Sequence, residues 1–237
     1  MHRIFISDLH LDESLTRVTA TFFHFLETKA SECDELYILG DLFNFWIGDG
    51  EKSPYQLEVA SHIAKVKARK FFIPGNRDFL IGFRYSKRCK MKILKDETVI
   101  RKAPQPYVIC HGDGLCTLDH GYIKFRKFRS NPLNRFIYAL LPYSTKQHLA
   151  NNIRTEAAHK KRIKDPAMMD IVQEDFFRLM NKKNCKICVH GHTHKPQVHQ
   201  YQDQGLTRYV LGDWNENGFF YLDENNGEFQ LLHEDLI

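Results

Sequence analysis

Short apolar runs recur along the chain, each stopped by a glycine, a proline or a polar turn. Ile4-Phe5-Ile6, Leu36-Tyr37-Ile38-Leu39, Phe71-Phe72-Ile73, Tyr107-Val108-Ile109-Cys110 and Ile187-Cys188-Val189 are too short for buried helices and are bounded as buried strands are. Between them the period lengthens. Val18, Phe22, Phe25 and Leu26 predict a helix within residues 14–30. Leu57, Ala60, Ile63 and Ala64 predict another over 54–68, behind a Ser53-Pro54 start signal. Alternation of this kind up to residue 111 predicts a layered α/β sheet. Residues 119–182 carry no strand pattern and predict helices broken near Pro132, Pro142 and Pro166. After His194 short strands return over 196–201, 206–211, 218–222 and 228–232, with Gly205, Gly218 and Gly227 at turns. The expected class is therefore α/β: a layered β-sandwich flanked by helices, its core formed by 1–118 and 183–237, with a helical lid insertion over 119–182.

The polar residues that end each run carry the chemistry. The first run enters Ser7-Asp8-Leu9-His10, the second Gly40-Asp41, the third Pro74-Gly75-Asn76-Arg77-Asp78, the fourth His111-Gly112-Asp113 and the fifth His190-Gly191-His192-Thr193-His194. Ligands gather outside the carboxyl ends of strands in open α/β sheets, so five strand ends can deliver Asp, Asn and His to one point. Asp8 and His10, two apart on a chain expected to be extended, would share one face. Gly40 lets the backbone turn sharply before Asp41. Carboxylate, amide oxygen and imidazole together suit a hydrolytic divalent metal such as Mn or Fe rather than a thiolate zinc site. One carboxylate can bridge two ions. A pair roughly 3.5–4 Å apart can clamp a phosphorus centre and supply a hydroxide nucleophile. Taken singly, each motif is an ordinary turn; five in order at strand ends are not.

The remaining composition narrows the setting. The first strand begins almost at once, no signal-peptide apolar region precedes it, and Phe136–Leu141 is far too short to span a bilayer. The expectation is a cytoplasmic protein, peripherally associated at most with the cytoplasmic face of the inner membrane. Cys33, Cys89, Cys110, Cys116, Cys185 and Cys188 are expected to be reduced, and Cys185/Cys188 lack a second pair with which to hold zinc. The net charge of +5 is concentrated: residues 119–165 hold eleven basic side chains against three acidic ones, a local +8 that attracts anions.

The five motifs together resemble the signatures of the calcineurin-like metallophosphoesterases. That resemblance implies a two-metal hydrolase. Asp8, His10, Asp41 and His194 would hold the first ion. Asp41, Asn76, His111 and His192 would hold the second, with Asp41 bridging. Asp41, Asn76, His111 and Arg77 would serve catalysis, a metal-held hydroxide attacking phosphorus. One departure is informative: many family members have His after the Asn, as an acid for an alkoxide leaving group, and here Arg77 stands instead. Arginine cannot give up a proton but can grip phosphate bidentately, which suits a leaving group that is already a phosphate.

The residues around the motifs, Ile38 to Asp49, Pro74 to Gly82, His111 to Thr117 and His190 to Pro196, are similar to those of the family members that hydrolyse UDP-2,3-diacylglucosamine in the lipid A pathway. This narrower similarity implies two Mn²⁺ per chain and a lipid-linked sugar nucleotide as substrate. The products would be UMP and 2,3-diacylglucosamine 1-phosphate. Substrate contacts would come from Asn76, Arg77, Asp119, Lys164 and His192, and from Lys161 where the family has Asn. A family Ser falls on Ala157, which cannot make the same bond. Tyr122, Phe125, Phe136, Ile137, Leu140 and Leu141 form an apolar stripe, read either as core packing or as an acyl-chain site. The basic residues near it would face the diphosphate or an anionic membrane surface. Another phosphodiesterase or a nuclease of the family is the alternative. A nuclease should offer aromatics in a basic groove for base stacking, whereas these aromatics are interleaved with aliphatics, so neither nucleic acid nor an obligate protein partner is expected.

Overall fold

The computed structural model describes residues 1–50, 53–150, 152 and 170–237. These residues form two sheets. The first has the order β11-β10-β1-β2-β3-β4, in which β1 (His2–Ile6), β2 (Glu35–Ile38), β3 (Arg69–Phe72) and β4 (Met91–Ile93) run parallel. β10 (Phe219–Asn225) and β11 (Glu228–Glu234) close one edge as an antiparallel hairpin. The second has the order β5-β6-β7-β9-β8, with β6 (Tyr107–Ile109), β7 (Ile187–His190) and β9 (Leu206–Val210) parallel. β5 (Thr98–Ile100) and β8 (Gln197–Tyr201) form its antiparallel edges.

The layers explain why the central strands look continuously apolar. Ile4 and Ile6 of β1, Leu36 and Ile38 of β2 and Phe72 of β3 join a core with α1 (Thr16–Glu27) and α2 (Pro54–Lys65), through Phe22, Phe25, Val59 and Ile63. Their alternates Phe5, Tyr37 and Leu39 point the other way and pack with Ile109, Val189 and Leu211 between the sheets. A strand buried on both faces has no polar face to show. α2 begins where expected: the Ser53 side chain accepts from Gln56 N at 3.2 Å and Gln56 answers the Ser53 N–H, a reciprocal cap with Pro54 in the first turn. β4 and β5, three residues each, have no counterpart among the expected strands, because so short a run leaves no periodicity to detect.

The chain divides into two compact units, Met1–Gly112 with Arg178–Ile237, and Asp113–Phe177. α3 (Phe83–Arg88) belongs to the first. The second contains α4 (His120–Ser130), α5 (Pro132–Leu140) and a helical stretch over 143–150, and α6 (Gln173–Lys183) crosses the boundary. Pro132 begins α5 and Pro142 precedes the next stretch, as their missing donors require; Pro166 lies outside the described residues. Asp119 caps α4, accepting from Tyr122 N at 3.0 Å. Asp113, buried at the head of this unit, accepts from the Tyr122 hydroxyl, from Arg126 Nε at 3.0 Å and from Arg129 Nη2 at 2.9 Å, which ties α4 to the segment that leads into it. All six cysteines are buried thiols, none of them in a disulfide. Among the described residues, no helix is long and apolar enough to cross a membrane.

Candidate metal centre

Seven side chains from the first unit converge at the carboxyl ends of β1, β2, β3, β6 and β7. Backbone bonds extend the strand pairing into the turns that carry them: Asp8 N donates to Gly40 O at 3.1 Å, His10 N to Asp41 O at 2.9 Å and Gly191 N to His111 O at 3.0 Å. Asp78 locks two of the turns together. It is buried, and its carboxylate accepts from Gly75 N (2.9 Å), Leu42 N (2.7 Å) and Asp41 N (3.3 Å). Sequence reasoning gives Asp78 no role; its place in the Gly75-Asn76-Arg77-Asp78 turn is the available signal.

Asp8, His10 and His194 offer ligand atoms within reach of a single ion, and so do Asp8, Asp41 and His111. In the first group His10 Nε2 lies 3.2 Å from His194 Nε2, and His194 Nε2 lies 3.4 Å from Asp8 Oδ1. On the other side Asn76 Oδ1 stands 3.1 Å from His111 Nε2 and 3.0 Å from His192 Nδ1. Asp41 faces both groups: Oδ1 is 3.8 Å from His111 Nε2 and Oδ2 is 4.0 Å from His10 Nδ1. Further bonds aim individual ligands. His111 Nδ1 donates to Leu39 O at 2.8 Å, which turns the Nε2 lone pair towards the site. Ser7 Oγ and His192 N donate to Asp8 Oδ2 at 2.6 and 2.8 Å, which leaves Oδ1 for the site.

Asp8 Oδ1 and His10 Nδ1 are buried with no hydrogen-bond partner among the described residues. Buried polar atoms are normally paired, and a cation is the partner that a cluster of lone pairs lacks. The close approach of the turns points the same way: a Cβ on Gly75 would sit 2.2 Å from Asp41 Oδ1, and one on Gly191 would sit 2.2 Å from Asp8 Oδ2. The oxygen and nitrogen donors present fit a divalent transition metal.

One local expectation is corrected. The Asp8–His10 segment is not extended: Asp8 has φ 56° and His10 φ 49°. Asp41 (52°), His192 (71°) and His194 (54°) are also left-handed, so five of the seven candidate ligands occupy a region that side-chain-bearing residues seldom adopt.

The charges interact accordingly. Burial raises the Asp41 carboxyl to about 7, with Asp78 and Asp8 adding and His111 opposing. Burial also acts against the Asp8 carboxylate, but His194, His111 and His10 around it together hold it well below the usual range. His10 is pushed down to about 3 by burial, with the charges of His194 and Arg77 adding. Arg77 is therefore within electrostatic reach of the cluster, and its backbone N–H donates to Asp41 Oδ1 at 2.8 Å. Asp119 lies in the second unit, as a helix cap; Lys161, Lys164 and Ala157 lie outside the described residues.

The calcineurin-like phosphoesterase profile matches residues 1–196. The chain belongs to the calcineurin-like phosphoesterase family. A UDP-2,3-diacylglucosamine hydrolase of Ectopseudomonas mendocina is 40% identical over 236 residues, which cover 98% of each chain. One of Vibrio cholerae is 37% identical over 243 residues, covering 100% of this chain and 99% of that one. The fold is shared more widely. An archaeal phosphodiesterase superposes with a TM-score of 0.51 at 11% identity, covering 99% of this chain and all of the other. Vps29 of Entamoeba histolytica superposes with a TM-score of 0.50 at 13% identity over the whole of both. The narrower resemblance seen in the residues around the motifs thus extends over nearly the full chain. This family member is a hydrolase, and divalent-metal binding comes with the family.

Proposed function

We propose that this chain hydrolyses the diphosphate of UDP-2,3-diacylglucosamine, releasing UMP and 2,3-diacylglucosamine 1-phosphate (lipid X) in lipid A biosynthesis, with two Mn²⁺ per chain. What supports the substrate reading is similarity at about 40% identity that runs over nine-tenths or more of relatives bearing that name. Asp8, His10, Asp41 and His194 would hold one ion, and Asp41, Asn76, His111 and His192 the other. When bound, such a pair supplies Lewis acidity at the phosphoryl oxygens and a water of lowered pKa. The protein's own part is to fix these donors by the bonds from Leu39, Ser7 and Asp78, and to position the diphosphate. Arg77 grips phosphoryl oxygens as a planar fork and donates no proton. None is needed, because a phosphate monoester leaving group has its last pKa near roughly 6. Asp119, Lys161 and Lys164 complete the proposed substrate contacts.

The insertion is proposed as a lid that takes the acyl chains and meets the inner-membrane surface. On α5, Leu133 (64% exposed), Phe136 (62%), Ile137 (52%) and Leu140 (69%) recur at helical spacing on one exposed stripe. Such a stripe with basic residues nearby suits an anionic lipid interface. The stripe differs from the expected one: Leu133 belongs to it, while Tyr122 is tied to Asp113. The test is incubation with UDP-2,3-diacylglucosamine and Mn²⁺, followed by detection of UMP. Stoichiometric UMP with no cleavage of DNA is expected; DNA cleavage without UMP would favour a nuclease instead.

A further inference from the structure

We propose that Asp213 is a positioning residue for His194: it accepts a hydrogen bond from the Nδ1–H of that imidazole and so presents the Nε2 lone pair to the metal. The inference rests on the metal-centre reading and adds to it a residue outside all five motifs. His194 lies between two carboxylates. Its Nε2 end faces the cluster, 3.4 Å from Asp8 Oδ1 and 3.2 Å from His10 Nε2. Its Nδ1 end faces outward, with Asp213 Oδ2 at 3.6 Å.

His111 shows what this arrangement does. His111 has its Nδ1 anchored by a backbone carbonyl, which fixes the tautomer and the ring. Among the described residues His194 has no such carbonyl, and it sits on a turn in the left-handed conformation; Asp213 is the group placed to do the same work. A metal-ligating histidine generally donates a hydrogen bond from its second ring N–H to a carboxylate or carbonyl, which orients the ring and raises its basicity. Asp213 is well held for this. It follows β9 and Leu211, whose N–H donates to His190 O at 2.8 Å, and precedes Trp214, whose N–H donates to Asp8 O at 3.1 Å. The backbone carrying Asp213 is thus tied on one side to the strand that leads to His194 and on the other to the turn that carries Asp8. The separation of 3.6 Å is just beyond a hydrogen bond. Both side chains are partly exposed, His194 at 35% and Asp213 at 26%, which leaves them room to rotate, and hydrogen bonds in empty sites are often long before the ligand binds.

The experiment uses full-length Asp213→Asn, Asp213→Leu and Asp213→Glu beside His194→Ala, with Mn²⁺ alone as the probe. Free Mn²⁺ is counted by its EPR signal during titration. The tautomer of His194 is read from ring ¹⁵N shifts in the metal-free protein, and folding from thermal melting in EDTA. Asp213→Leu should keep its melting temperature but bind one of the two equivalents roughly 10–100-fold more weakly. Its His194 signal should shift away from the Nδ1–H form. Asp213→Asn should lie between, since the amide oxygen still accepts, and Asp213→Glu should restore most of the affinity. Two equivalents at parental affinity in Asp213→Leu, with His194→Ala losing one, would overturn the role of Asp213 alone. Full retention in His194→Ala as well would overturn the metal-centre reading together with it.

Discussion

Replacing Asp41 with Asn removes one negative charge and leaves the shape of the side chain almost unchanged. Asp41 is 1% exposed, and burial, aided by Asp78 and Asp8 against the pull of His111, raises its carboxyl from 3.8 to about 7. A carboxyl whose folded pKa is raised stabilises the fold below the unfolded value, and that stability is lost as pH rises towards the folded one. At pH 8 the metal-free protein therefore carries a destabilisation of at most roughly 4 kcal/mol, at 1.36 kcal/mol per pH unit between the two values. Asn carries none of it. Its Oδ1 can still accept from Arg77 N, and its amide would face His10 Nδ1, a buried atom without a hydrogen-bond partner among the described residues. In EDTA at pH 8 the variant should melt several degrees above the parent, because about 1 kcal/mol is worth roughly 2–4 °C in a chain of this size. At pH 5 the gain should fall to less than half. With Mn²⁺ the order should reverse. The parent gains stability from binding, while the neutral amide cannot serve two cations, and turnover should drop by several orders of magnitude. A metal-free variant less stable than the parent at pH 8 would refute the burial argument. Near-parental turnover when saturated with metal would refute the shared ligand.

Arg77→Lys should lower kcat/KM for the lipid nucleotide by roughly tenfold or more, about 1.4 kcal/mol, because a point charge does not replace a planar fork; unchanged steady-state kinetics would return Arg77 to a turn residue. Leu140→Asp and Phe136→Asp should raise KM for the diacylated substrate and spare a small aryl phosphodiester, since a lost contact is worth about 0.8 kcal/mol per CH₂. Equal losses on both substrates with a lower melting temperature would instead mean that the α5 stripe is structural. His10→Gly should be more stable than His10→Ala without metal, by about 1 kcal/mol, because His10 has φ 49° and alanine is strained there; the reverse order in urea titrations would show that the turn relaxes.

What was legible in the chain depended on whether the physics was local. β1, β2, β3, β6 and β7 announce themselves because both faces are buried and each run meets a turn. α2 is legible from Ser53 and Pro54, which act within one helical turn. The convergence of the candidate ligands is legible because metal chemistry restricts residue type more tightly than a turn does. The conformation of those ligands is not. Nothing in Asp8-Leu9-His10 distinguishes an extended segment from two left-handed residues, and the difference is decided by groups remote in sequence: Gly40 and Asp41 accepting from Asp8 N and His10 N, and Trp214 N donating to Asp8 O. Asp213 is invisible for the same reason, since only the pairing of β7 with β9 brings it to His194. The strain is also informative about what the fold sustains. Left-handed backbone costs about 1–2 kcal/mol per residue, so the five candidate ligands together cost an amount comparable with the net stability of a domain, about 5–15 kcal/mol. A two-sided core beneath the turns is what can hold them there. Replacing one of these five residues with glycine should then relieve backbone strain in the metal-free protein, and removing a buried charge, as in Asp41→Asn, should relieve its burial, while either change destroys the proposed site, so that gain of stability and loss of activity arise from one substitution.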